Sequence, residues 1–202
     1  MCTKKRIASL AGELFMKHGV KMVPMDEIAS RLGMSKRTIY QHFTDKEELL
    51  VYFLKNLEQE QLSLLDELSK TEPTIIDVFW KIVIMHKEID KNYNIRFHED
   101  IEKYYPRANA VMQEQQKRGT KHLKDMLKYG MRQGVVRKNL NLQATAFLLQ
   151  ETNSIYSKAF SMISRPFTIW ELFFTMMVNF IRGISTTRGI EIIDNYLQQE
   201  NV

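Results

Sequence analysis

From Lys4 to His18 the apolar residues Ile7, Leu10, Ala11, Leu14 and Phe15 recur three and four positions apart, which predicts a helix with one buried face. Gly19 stops it. After "VKMVP", Asp26 stands as the cap of a short helix that turns Ile28, Ala29 and Leu32 inward and ends at Gly33. Only "GMS" follows before the chain starts helix again, with Ser35 as N-cap and Met34 placed to staple onto Ile39. At about 100° per residue, Ile39 and Phe43 mark the buried side of this third helix. Arg37 and Gln41 then lie at the centre of the opposite face, with Thr38 and Tyr40 beside them.

"TDKEELL" carries two overlapping capping boxes, Thr44 with Glu47 or Asp45 with Glu48, and opens a long amphipathic helix to about Lys70. "TEP" at 71–73 breaks the chain, and "TIIDVFWKIVIMHKEI" restarts it as a helix that is apolar over most of its circumference. Further helices are expected at about 94–104, 106–132, 142–164 and 167–187, with breaks at Pro106, at "RQGVVRKNLN" and at "SRP". No strand pattern, internal repeat or low-complexity tract is present in the sequence. The pattern predicts an all-α protein of nine or ten helices in two regions, joined by the helix from about 45 to 70.

Composition agrees. The 202 residues are 44% apolar and 26% charged, with only 8 Gly and 4 Pro, which suits a helical globular chain with a substantial core. A single cysteine, Cys2, excludes an intrachain disulfide and any multi-cysteine metal site, and it suits a reducing cytoplasm. Glu13 and Lys17 interrupt the apolar stretch that a signal peptide needs, and "WELFFTMMVNFI" is too short to span a bilayer, so no membrane partner is expected. The net charge is +5, and it is unevenly placed. Residues 1–55 hold 10 Lys or Arg against 6 acids, whereas residues 56–202 hold 19 against 18.

That local basic bias coincides with the third helix, which raises the question of what so short an element is for. A helix of about two turns buries too little to be stable alone, so its polar face is held in place for something outside the protein. Two short helices joined by a tight glycine turn form the helix-turn-helix pattern, whose second helix enters the major groove of double-stranded DNA. Arg37 and Lys36 can donate to guanine O6 and N7, Gln41 can pair with adenine, and Thr38 can touch a thymine methyl or a phosphate.

The residues that carry this pattern resemble the TetR family of bacterial transcriptional regulators. They are "RIASLAGELFMKHG" in the first helix, "MDEIASRLGMSKRTIYQHF" across the helix-turn-helix and "TDKEELL" opening the fourth helix. The later chain is similar only loosely, through "GMRQGVV" and "FIRGISTTRG". The resemblance implies a homodimer with an N-terminal DNA-binding domain, here residues 1–48, and a larger helical domain, residues 49–202, for ligand binding and dimerisation. It also implies a repressor released from a palindromic operator by a small molecule. Ser35, Tyr40, His42 and Lys46 fall where the family contacts DNA, the last three on phosphates. The family usually has a small or hydroxyl residue where this chain has Pro24 and Met25, and a small residue at the position of Arg37.

In the second region Trp80, Met85, Phe97, Tyr104, Met112, Tyr129, Phe147, Tyr156 and Phe160 sit at helical spacings. Each reads singly as core. Together with an unusual 12 methionines they could line an adaptable pocket for an apolar or amphipathic effector. The last two long helices carry more apolar surface than a two-sided helix needs, and the resemblance makes them the dimer contact. A charge at Phe174 or Met177 should break it unless that residue faces the monomer core. The five histidines form no metal or catalytic pattern, and no phosphate-binding loop, nucleophile elbow or paired-carboxylate signature occurs. No cofactor and no enzymatic activity are expected. The alternative is a helical small-molecule binding protein or enzyme whose N-terminal helices serve protein contacts.

Overall fold

The computed structural model describes residues 2–89, 94, 96–151 and 166–199. Among them the chain forms ten α-helices and no strand. These are α1 (Thr3–His18), α2 (Met25–Leu32), α3 (Lys36–His42), α4 (Lys46–Thr71), α5 (Ile75–Ile89), α6 (Arg96–Tyr104), α7 (Pro106–Gln133), α8 (Leu142–Gln150), α9 (Ile169–Ile184) and α10 (Thr187–Gln199). Two compact units result. The first holds Met1–Leu62 and Asn92–Gln115, the second Ser63–Lys91 and Gln116–Val202.

In the first unit the apolar stripe of α1 meets α2, α3, the start of α4, α6 and the first turns of α7. Ile7, Phe15, Ile28, Ile39, Leu49 and Leu50 are all fully buried there. Each such side chain contributes about 1.5–3 kcal/mol when taken from water. Gly12 is what lets α1 and α4 approach, because a Cβ on it would stand 2.0 Å from the Phe53 ring. Phe53 in turn meets Phe97 of α6 edge-on at 6.5 Å.

Of the two capping pairs read in the sequence, Asp45 with Glu48 serves the first turn of α4, whereas Glu47 does not pair with Thr44. Asp45 Oδ1 accepts the Glu48 N–H at 2.7 Å, and Glu48 Oε2 accepts the Thr44 N–H at 2.7 Å and the Thr44 hydroxyl at 2.8 Å. These hydrogen bonds hold both carboxyl groups below the usual carboxylate range.

The second unit packs α5 against α9 and α10. Trp80 stacks on Tyr196 at 5.2 Å and meets Phe174 edge-on at 5.9 Å. Asp77, buried, accepts the Thr74 N–H and hydroxyl on Oδ2 and the Tyr196 hydroxyl on Oδ1, which fixes the start of α5 to α10. Burial, then the hydrogen bond to Asp77, push the Tyr196 phenol up to about 12. The "GVVRK" segment after α7 clasps the junction of α9 and α10, with Arg137 N donating to Ile184 O and Thr186 N to Val135 O.

One expectation is decided here, and another is met only in part by the described residues. Phe174 and Met177 are buried in the core of the second unit, so they do not present an apolar face to a partner chain. The helix expected over 142–164 is described only as Leu142–Gln150, capped by Asn141, whose side chain accepts the Ala144 N–H; residues 152–165 lie outside the described residues.

Candidate nucleic-acid interface

The tight turn between α2 and α3 rests on Gly33, whose φ of 63° and ψ of 30° put it in the left-handed region. Side chains with a Cβ rarely adopt it, and it lets the helix end while the next begins three residues later. Ser35 then caps α3: its Oγ accepts the Thr38 N–H at 3.0 Å and shares a hydrogen bond with the Thr38 hydroxyl at 2.8 Å. Ser35→Ala should cost about 1 kcal/mol, seen as a lower denaturant midpoint with an unchanged slope.

Ile39 and Phe43 anchor α3 in the core, and everything opposite them faces outward. Arg37, Tyr40 and Gln41 are exposed, and His42 is half-buried at the last turn. Among the described residues, Arg37 and Gln41 make no side-chain hydrogen bond or ion pair. Each is therefore free to spend its donors on a base edge, where one good bidentate pair discriminates by about 1–3 kcal/mol.

The other cations of this surface are engaged. Lys36 Nζ lies 2.8 Å from Asp26 Oδ1 and 3.1 Å from Oδ2, a bridge from α3 back to α2. Lys46 is half-buried, and its Nζ donates to the carbonyls of Val20 at 3.0 Å and Lys21 at 3.4 Å, which tie α4 to the loop after α1. Burial lowers its pKa, and Asp100 partly offsets this. Lys4 stands over the rings of Phe43 and Tyr52 at 4.9 and 5.1 Å, with Glu48 at 3.7 Å.

A support behind the motif was not foreseen from the sequence. Arg107, in the first turn of α7, donates from its guanidinium to Glu47 Oε2 at 2.9 Å and to both oxygens of Asp45 at 2.7 and 2.8 Å. Glu47 Oε1 also accepts the backbone N–H of Arg107 at 2.7 Å and that of Ala108 at 3.3 Å. The start of α4 is thus latched to the start of α7. On the other side, Asp100 of α6 accepts the Lys21 N–H at 2.7 Å, and Asn94 donates its backbone N–H to Met16 O at 2.8 Å. The only sequence cue was the acidic "DKEE" run, and nothing local named its distant partner.

Comparison with known proteins falls on these same residues. Residues 7–53 match the model for bacterial regulatory proteins of the tetR family. An HTH-type transcriptional regulator of Staphylococcus aureus (strain USA300) is 38% identical over 52 residues, which is 26% of this chain and 28% of the relative. A TetR family regulator from Agrobacterium tumefaciens superposes with a TM-score of 0.76 at 16% identity, covering 91% of this chain and 97% of that one. Over residues 7–53 this chain is similar to the tetR family, and over most of its length it shares that regulator's fold. A regulator from Saccharomonospora viridis in complex with choline has the same fold, with a TM-score of 0.73 at 19% identity over 91% and 97% of the two chains. FadR from Bacillus subtilis in complex with stearoyl-CoA gives 0.66 at 18% over 89% and 98%. The chain spans little more than a quarter of the length of the curated relatives it matches in sequence.

The residues expected to line an effector pocket fall in both units or outside the described residues. Phe97, Tyr104 and Met112 belong to the first unit: Phe97 is in its core, Met112 packs on that core, and Tyr104 is exposed under Lys21 Nζ at 4.4 Å. Trp80, Met85, Tyr129 and Phe147 belong to the second, where Trp80 is buried in the core and the other three are exposed. Tyr156 and Phe160 lie outside the described residues.

Proposed function

We propose that this chain is a dimeric, sequence-specific DNA-binding transcriptional regulator, a repressor that a small apolar or amphipathic molecule releases from a palindromic operator. The observation that carries it is α3 itself, a two-turn helix anchored by Ile39 and Phe43 that holds Arg37, Tyr40 and Gln41 out to solvent. Residues 1–48 make the DNA contact in this reading, and residues 49–202 serve ligand binding and dimerisation. Arg37 and Gln41 read bases, while Tyr40, His42 and Lys46 position the helix on phosphates. The protein acts in the cytoplasm, where its DNA partner is; among the described residues no helix is long and apolar enough to cross a membrane.

Selecting bound sequences from a random duplex library tests this. Recovery of a two-fold symmetric site with half-sites one helical turn or a multiple apart, about 34–36 Å each, is the expected result. Recovery of no sequence leaves the helix-turn-helix without its function.

The effector reading draws on the choline and stearoyl-CoA bound by two proteins of the same fold, both of which carry an apolar or cationic organic portion. Release is proposed to pass through α4, since this helix starts beside α3 and its first turn is pinned by Arg107. A ligand that favours the unlatched position by about 1–3 kcal/mol would lower DNA affinity by the corresponding factor, and DNA would lower ligand affinity equally.

For the dimer, Leu148 of α8 is a better site for a test charge than the buried Phe174 or Met177, because it is 61% exposed. The wild type should sediment as a dimer at micromolar concentration and Leu148→Glu as a monomer with an unchanged helical spectrum. A monomeric wild type removes the dimer from the proposal.

A further inference from the structure

The distribution of ion pairs across the interface points to a role for a residue that no base-reading scheme includes. We infer that Asp26 is a specificity-determining residue: it holds Lys36 back on α2 and so keeps the protein from binding DNA of any sequence too well. This rests on the DNA-binding reading above and goes beyond it.

The argument starts from which cations the surface leaves available. In residues 2–55, Lys4, Lys5, Lys21, Arg31, Lys36 and Lys46 each have an acidic, aromatic or carbonyl partner. Arg6, Lys17, Arg37 and Lys55 have none among the described residues, and of these four only Arg37 lies on α3. The recognition helix therefore offers one uncommitted cation, flanked by neutral donors.

Lys36 is the exception that could have been a second. It stands next to Arg37 in the first turn of α3, on an exposed side chain, and its ammonium sits between the two oxygens of Asp26. Asp26 is itself exposed, in the first turn of α2, and the other acid of that turn, Glu27, is taken by Arg31 within α2. So, among the described residues, the carboxylate that meets Lys36 has no other cationic partner.

An exposed pair of this kind adds little to stability, since solvent screens it. Its effect on DNA binding is different in kind. Each lysine that neutralises a phosphate releases counterions and adds sequence-independent affinity, with a salt slope of about −0.9 per contact. A lysine already neutralised by a carboxylate does not, and the carboxylate opposes the approach of the phosphates besides. Discrimination is left to Arg37 and Gln41, whose contacts depend on the base.

The test compares Asp26→Asn, Asp26→Glu, Lys36→Met and the Asp26→Asn/Lys36→Met double variant for binding to the selected operator and to a random duplex of equal length, across a salt series. Asp26→Asn should raise affinity for the random duplex about five- to tenfold near 0.1 M salt, steepen its salt slope by about one contact, and narrow the gap between operator and random DNA. Asp26→Glu, which keeps the carboxylate, should behave as the wild type. In the Lys36→Met background Asp26→Asn should lose most of its effect, an outcome that a merely structural role in α2 does not give. Random-duplex affinity and slope unchanged by Asp26→Asn, or changed as much without Lys36 as with it, overturn the inference while the DNA-binding reading stands. A wild type that binds neither duplex overturns both.

Discussion

Lys46→Ala is expected to weaken binding to every duplex alike and, at the same time, to loosen the domain that does the binding. The first effect follows from its place in the opening turn of α4, where free backbone N–H groups and an ammonium together favour a phosphate. Removing it should make the salt slope shallower by about one contact. The second follows from the carbonyls of Val20 and Lys21, which the ammonium satisfies at 3.0 and 3.4 Å. Hydrogen bonds to a charged group contribute about 1.5–3 kcal/mol, so the denaturant midpoint should fall as well. Lys46→Arg separates the two, because a guanidinium keeps the charge but not the compact fit between two carbonyls. It should restore most of the salt slope and less of the stability. A variant as stable as the wild type would show that the ammonium is not holding the loop.

Arg107→Ala should have the largest effect on regulation. The guanidinium ties Asp45 and Glu47 at the start of α4 to the first turn of α7, and its loss leaves two carboxylates facing each other without a cation. The start of α4 then rests on its own capping hydrogen bonds, which the variant keeps. The latch is exposed on the Arg107 and Asp45 side, so the fold should survive. DNA affinity should drop by the order of a coupling energy, about 1–3 kcal/mol or five- to 150-fold, with base preference unchanged. An effector found by thermal-shift screening should then lower the remaining affinity by a smaller factor than in the wild type. An unchanged effector response would place the coupling elsewhere in the chain.

The cap at the start of α4 also has a pH sense. Asp45 and Glu48 are held below the ordinary carboxylate range, so the stability they contribute is fully present above about pH 5 and is lost as pH falls through their lower folded values. Near neutrality it is constant.

The parts of the molecule that the sequence made legible are those fixed by neighbours in the chain. Gly19 and Gly33 end their helices, Ser35 caps α3, and the side of α3 carrying Ile39 and Phe43 is the buried one, all because period and capping are local properties. What the sequence left unread depends on contacts between distant segments. Arg107 is sixty residues from Glu47, and in the sequence it is one more cation after a proline. Lys46 looked like a plain phosphate contact because its carbonyl partners lie in a loop before α2. Phe174 and Met177 matched a helix with surplus apolar surface, and only the packing of α5 and α10 around α9 decides which way they face. The effector-pocket candidates were the least legible. Aromatic and thioether side chains at helical spacing describe a core and a pocket equally well, and the structure divides them between two units.

The central claim is that the exposed face of α3 reads DNA, and one measurement addresses it most directly. Site selection from the same random duplex library is run side by side with the wild type and with Arg37→Ala, a substitution at an exposed position without a hydrogen-bonding partner in the protein among the described residues. The expected result is a two-fold symmetric site for the wild type, and for the variant the same site with preference relaxed at a single position in each half, at a cost of about 1–3 kcal/mol per lost bidentate contact. An identical selected site from both proteins, or none from either, would contradict the assignment of α3 as the reading helix.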